Sequence, residues 1–213
     1  MFYIYNTALK PILCYASDVW GVSPKGKAIV DKFYLRLLKQ TLGVRHTTAN
    51  IFVMGETGQI LPSVNCDYYV MSFLNRVNNM SNTTIVKQVY NELYSLHNLG
   101  FKNWYSDALK LFTNYNLDMI GNQDIFKIVA KLSIEDKFKR QWLNDIHDSV
   151  KHPIARTYKC FKFDYICEPY LLKVTNFRHR QSLARLRTST HALHIEADRH
   201  KKQIPDVSEL KKM

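Results

Sequence analysis

The chain has 213 residues with a formal charge of +12, and 46% of them are hydrophobic and 13% aromatic. That apolar share excludes a disordered tail, and 4 cysteines in this length exclude a disulfide scaffold. With 7 glycines and 6 prolines, a sandwich or barrel that turns at short regular intervals is excluded as well.

Composition therefore predicts an all-α chain. Residues 1–20 are apolar, but they lack a basic leader, and Asn6, Lys10 and Pro11 interrupt the run. No window reaches the ~18 apolar residues that a membrane span needs. The expectation is an intracellular protein, nuclear or cytoplasmic, neither secreted nor membrane-bound.

The predicted elements follow in chain order. Ile29, Phe33 and Leu37 repeat at four-residue steps, with Val30, Tyr34 and Leu38 beside them and Gly43 as a stop. Lys25, Lys27, Lys32, Arg36 and Lys39 are expected to project away from that stripe, opposed by Asp31, and Arg45 follows. Cys66, Tyr69, Val70, Phe73 and Val77 form a second stripe. Val86, Val89, Tyr90, Leu93 and Leu96 form a third, closed by Gly100. Trp104, Ala108, Leu111, Phe112 and Tyr115 form a fourth. Ile134, Phe138, Trp142 and Ile146 form the most regular stripe, which Ser133 would open as N-cap with Asp136 completing a capping box. The pair Glu135-Asp136 would then sit in a first turn and complement the helix dipole. Residues 157–167, rich in alternating aromatics, read as irregular or extended.

Charge concentrates at the end of the chain. Residues 151–213 hold 14 basic and 6 acidic side chains, and no carboxylate falls between Pro169 and Ile195. Such a segment seeks a polyanion or an acidic surface. On a helical wheel Arg178 and Arg185 share a polar stripe with Gln181. Arg180 and Arg187 form a second stripe flanked by apolar residues. Guanidinium groups there need a carboxylate, a carbonyl or a phosphate, and Glu196 is the internal partner expected from sequence.

Nucleotide-cradling loops of the G-x-x-x-x-G-K-[ST] or G-x-G-x-x-G type are missing, and so is H-E-x-x-H. Gly55-Glu56-Thr57-Gly58 reads as a helix end. Cys160, Cys167, His191 and His194 are the one conceivable metal set. The spacing of its cysteines is wider than a zinc knuckle's, so they read as structural. No cofactor, metal or catalytic residue is expected.

Three stretches resemble the region C-terminal to the polymerase core in reverse transcriptases of animal non-LTR (LINE-like) retrotransposons. They are LKPILCYASDVWG (Leu9 to Gly21), FYLRLLKQTLGVRHTTANIFVMGETG (Phe33 to Gly58) and FRHRQSLARLRTSTHALHIEADRH (Phe177 to His200). Phe138, Trp142 and Ile146 fit the same pattern more loosely.

The resemblance implies a thumb-like region at 1–61, a helical connector at 62–167 and a basic C-terminal segment at 168–213. It implies contact with RNA or a DNA primer–template backbone, through Lys32, Arg36, Lys39, Arg45, Arg178, Arg180, Arg185 and Arg187. The family's catalytic aromatic-x-Asp-Asp hairpin would precede Met1, so the chain alone is not expected to polymerise. Its partner would be the polymerase core of the same element. The chain departs from the family in ending without a zinc knuckle and in carrying Asp198-Arg199-His200 where relatives have Gly-Arg-Tyr. Two other readings stand beside this one: a helical protein-interaction module with an incidental basic surface, and a small metal enzyme using the cysteine–histidine set.

Overall fold

The chain folds around one central helix. The computed structural model describes residues 2–148, 150 and 155–190, and the described residues form helices and no strand. The all-α expectation is met.

The helices are α1 (Phe2–Ile4), a π-helical turn (Tyr5–Leu9), α2 (Lys10–Leu13), α3 (Ser17–Trp20), α4 (Pro24–Leu42) and α5 (Asn50–Thr57). They continue as α6 (Pro62–Asn78), α7 (Ile85–Asn98), α8 (Trp104–Tyr115) and α9 (Gln123–His147). Three shorter pieces follow: α10 (Ala155–Tyr158), α11 (Pro169–Lys173) and α12 (Phe177–Arg187). No described helix is long and apolar enough to cross a membrane.

Helix α6 touches α3, α4, α7, α8 and α9. Its sequence explains why: Cys66, Val70, Met71, Leu74 and Val77 form one broad apolar face, and all are buried. Asn75, fully buried, donates to Ile120 O at 3.0 Å and accepts from Ile120 N at 2.9 Å. That pairing ties the loop before α9 to the central helix. Three apolar clusters make up the core. The first joins α6, α8 and the front half of α9 through Leu74, Phe112, Phe126 and Ile134. The second joins Tyr5, Tyr34, Leu38, Val53, Leu171 and Ala184. The third joins Ile51, Phe52, Trp142, Ile146, Tyr158 and Tyr165.

Three sequence expectations need correction. On α4 the buried row is Tyr34, Leu35, Leu38 and Leu42, while Ile29 and Phe33 are exposed. Apolar residues cover over half of this helix, so the wheel alone does not choose a face. The Tyr34 hydroxyl, donating to Gln59 Oε1 at 3.0 Å, marks the face that turns inward. Ile29 and Phe33 therefore sit on the outer side with the cations instead of opposite them.

Helix α9 does not begin at Ser133. Asn122 caps it by accepting from Asp124 N at 3.0 Å and Ile125 N at 3.1 Å. Phe126 and Ala130 extend the row of Ile134 upstream, and Ser133 donates to Tyr115 O at 2.9 Å. Glu135-Asp136 thus lies mid-helix, where Asp136 pairs with Arg140 one turn on. On α7, Val86, Val89 and Leu96 face outward. The Tyr90–Tyr105 edge contact at 5.5 Å sets the helix's rotation, and so does Lys87, which donates to Asn78 O at 2.8 Å.

Of the stretch 157–167, residues 157–158 end α10 and the rest is irregular, as its aromatic alternation suggests.

Candidate nucleic-acid interface

The groove begins with the geometry of α4. Ser23 opens this helix as N-cap with Pro24 behind it, and Gly43 closes it at φ 66°. The left-handed backbone favours glycine there, and a side chain would also displace the Gln181 amide. Lys32, Arg36 and Lys39 fall at successive turns of one face, about 10 Å end to end at ~1.5 Å per residue. With His46, Asn50 and the apolar floor of Leu35 and Val44 they line a groove of about 970 Å³. Lys39 Nζ donates to His46 O at 2.9 Å, and burial lowers the pKa of its ammonium. Lys32, Arg36 and Arg45 are exposed. Lys27, by contrast, turns inward and pairs with Asp67, which also accepts from Tyr115 OH at 2.8 Å.

Asp31 is the acid of the groove. Its carboxylate accepts from Ser63 N at 2.9 Å and so caps the start of α6 from a neighbouring helix. Burial pushes its pKa above the usual 3.8, outweighing the Ser63 hydrogen bonds and Lys27. The folded protein therefore holds this proton more tightly than the unfolded chain. The group's contribution to stability falls as pH rises from 3.8 through the raised value. Asp31→Asn keeps an acceptor for Ser63 and removes the charge. The variant is expected to be more stable than the parent at neutral pH, to converge with it in acid, and to hold polyanions more tightly. Urea midpoints across that pH range check this, and a less stable variant at neutral pH would refute it.

Helix α12 meets the end of this groove. Asn176 caps it, accepting from Arg178 N at 2.9 Å and His179 N at 3.4 Å. Gln181 Nε2 and Arg185 Nε both donate to Gly43 O, at 2.9 Å and 2.8 Å. A cation on the last carbonyl of α4 also complements that helix's dipole. This contact spans 142 residues of sequence and places Arg185 beside the turn that carries Arg45. Arg178 is exposed and Arg180 half-buried on the same helix.

Arg187 does not belong with the others. Its Nε lies 3.0 Å and 2.9 Å from the two oxygens of Glu56, and Nη2 lies 2.8 Å from Glu168. Its guanidinium also covers the Phe161 ring at 4.6 Å. The wheel placed Arg187 among apolar residues, where it needs a carboxylate, a carbonyl or a phosphate, and the internal partner named from sequence was Glu196, which lies outside the described residues. The partners are Glu56 and Glu168.

Tyr170 OH donates to Glu56 at 2.7 Å, and Lys162 pairs with Glu168. Burial, then the nearby Glu56 charge, raises the phenol pKa of Tyr170 and of Tyr158. The cluster is a neutral clamp of two acids and two bases that joins α5, α11 and α12. Glu56 was read only as part of a helix end, although its place as the lone acid in the apolar run of α5 was a signal that could have found it. Lys162 gave no such signal.

Among the described residues no three His, Cys, Asp or Glu side chains gather to hold a metal. Cys160 is exposed, Cys167 is half-buried, and His191 and His194 lie outside the described residues. No protein-family model matches the chain, and neither a curated protein nor a solved structure does.

Proposed function

We propose that the chain binds the backbone of RNA or of a DNA primer–template, as the thumb and post-thumb part of a non-LTR-type reverse transcriptase. The observation that carries this reading is the junction at Gly43. There the Lys32–Arg36–Lys39 groove meets Arg185, which bonds Gly43 O beside the turn that carries Arg45, with Arg178 exposed further up α12. Two basic segments far apart in sequence form one track, as a backbone-following interface requires. The three collinear stretches of resemblance fall on α2–α3, on α4–α5 and on α12 with the residues after it. Contacts of this kind position a strand and do not read its bases. Arg187 is withdrawn from the interface, since its charge is already matched.

Salt titration of oligonucleotide affinity by fluorescence anisotropy tests the reading. Each neutralised duplex phosphate contributes about −0.9 to the slope of log K against log salt. Lys32→Gln with Arg36→Gln is expected to make the slope shallower by about two units, and Arg178→Ala by about one, with melting curves unchanged. Identical slopes in parent and variants would remove the groove from the interface.

A second reading, a helical interaction module, is favoured by exposed apolar side chains on two helices. These are Ile85, Val89 and Leu96 on α7, and Ile125, Ile128 and Leu132 on α9. It becomes the better one if the salt slopes do not change.

A further inference from the structure

We infer that Cys14 and Cys66 form a redox pair, a modification site at which hydrogen peroxide closes a disulfide between the turn after α2 and the central helix α6. The inference is independent of the nucleic-acid reading.

Geometry brings the two sulfurs together. The Cys14 thiol donates to Pro62 O at 3.7 Å, the first carbonyl of α6. Cys66 stands one turn further on, so its N–H meets that same carbonyl in the helix ladder. The two thiols hydrogen-bond each other. The backbone of α3 presses on Cys66 from the other side, since a methyl group on Gly21 would lie 3.1 Å from its Cβ.

The turn that carries Cys14 is held in an unusual shape. Ser17 N donates to Cys14 O at 3.1 Å, and Ala16 between them is left-handed at φ 52°, which a non-glycine residue adopts at a cost. This shape sets the Cys14 thiol and the Ser17 hydroxyl over one sulfur. Ser17 is 1% exposed, and its hydroxyl donates to Cys66. An inert core cysteine needs neither donor. Together they stabilise a thiolate, and the bond from Cys14, with a smaller one from Ser17, holds the Cys66 thiol below the usual range despite its burial.

The two sulfurs differ in access. Cys66 is fully buried, whereas Cys14 lines a cleft of about 340 Å³ between α3, α6 and α9. Cys14 is therefore oxidised first. The peroxide O–O bond breaks, one oxygen passes to the Cys14 sulfur as a sulfenic acid, and the other leaves as water. The Cys66 thiolate then attacks the Cys14 sulfur. The S–S bond forms, the S–O bond breaks, and the departing hydroxide takes up the Cys66 proton as a second water. Two thiols lose two electrons and one peroxide gains them.

Treatment of the reduced full chain with millimolar hydrogen peroxide, followed by alkylation and peptide mapping, tests this. A Cys14–Cys66 linked peptide is expected, and dithiothreitol should return it to two thiols. The bond closes a loop of roughly 50 residues, so the oxidised form should melt about 5–10 °C higher than the reduced one. Cys160→Ser with Cys167→Ser should give the same link and the same shift, and adding Cys14→Ala should abolish both. Three results would overturn the pair: both thiols intact after Cys160 is fully oxidised, sulfinic acid at either without a link, or Cys14 linked to Cys167 instead. A linked form that melts lower than the reduced one would overturn it too.

Discussion

Replacing Trp142 by alanine is expected to cost about 3–5 kcal/mol of folding free energy, a large part of a domain's usual ~5–15 kcal/mol. The indole is 3% exposed and its Nε1 donates to Ile51 O at 2.9 Å, so truncation leaves a cavity and removes that hydrogen bond. It also stands edge-on to Tyr165, with centroids 4.9 Å apart. The backbone of α5 approaches so closely that a methyl group on Gly55 would lie 2.5 Å from Trp142 Cζ2 and 2.6 Å from Tyr158 OH. Gly55→Ala should therefore destabilise by about 1–3 kcal/mol through overpacking. The two changes should not add, because removing the indole opens part of the space that the new methyl needs. Urea denaturation of both single variants and the double variant measures this. An unchanged midpoint in Trp142→Ala would take the second half of α9 out of the core, and strict additivity would separate Gly55 from Trp142.

The rear half of α9 was readable because Ile134, Trp142 and Ile146 repeat on one face with nothing competing for it. Helix α6 was readable only in part, since Cys66, Val70 and Val77 are buried as expected while Tyr69 is exposed and the buried face runs on through Met71 and Leu74. Gly43 and Gly58 both occupy the left-handed region at helix ends. Helix α4 was not: Ile29, Phe33, Tyr34, Leu35 and Leu38 offer several apolar faces, and only tertiary partners choose among them. The start of α9 was misplaced because Ser133 with Asp136 imitates a capping box, whereas Asn122, the cap in use, is a preferred N-cap residue with no acid at N3.

The same division holds at the proposed interface. Lys32, Arg36 and Lys39 were visible as a cationic row from spacing alone, because residues at turn intervals share a helix face. The role of Gly43 as the joint between α4 and α12 depends on a contact across 138 residues. Arg187 shows the intermediate case. Its helical neighbours revealed that it needed an anion, but the anion lies 131 residues away on a different helix.

Glu56→Ala is the second large effect expected, and it should reach the interface without touching it. Glu56 is fully buried and carries both the Arg187 guanidinium and the Tyr170 hydroxyl. Removing it leaves Arg187 with Glu168 alone and Tyr170 without its acceptor. Breaking a buried pair from one side typically costs about 3–5 kcal/mol, because the surviving charge stays desolvated. Glu56→Leu combined with Arg187→Met removes both charges and leaves Lys162 with Glu168 as a balanced pair. Paired replacement of this kind is often neutral, so the double variant should recover most of the lost stability. Arg187 is also the inward anchor of α12, and Arg185 on that helix holds Gly43. Loosening the anchor should therefore weaken oligonucleotide binding in Glu56→Ala, measured well below its melting temperature. The double variant, with α12 again packed by apolar contact, should bind close to the parent. Melting curves and anisotropy titrations on the three proteins decide the matter. A double variant as unstable as Glu56→Ala would mean that the clamp holds α12 by charge alone and not by the packing around it.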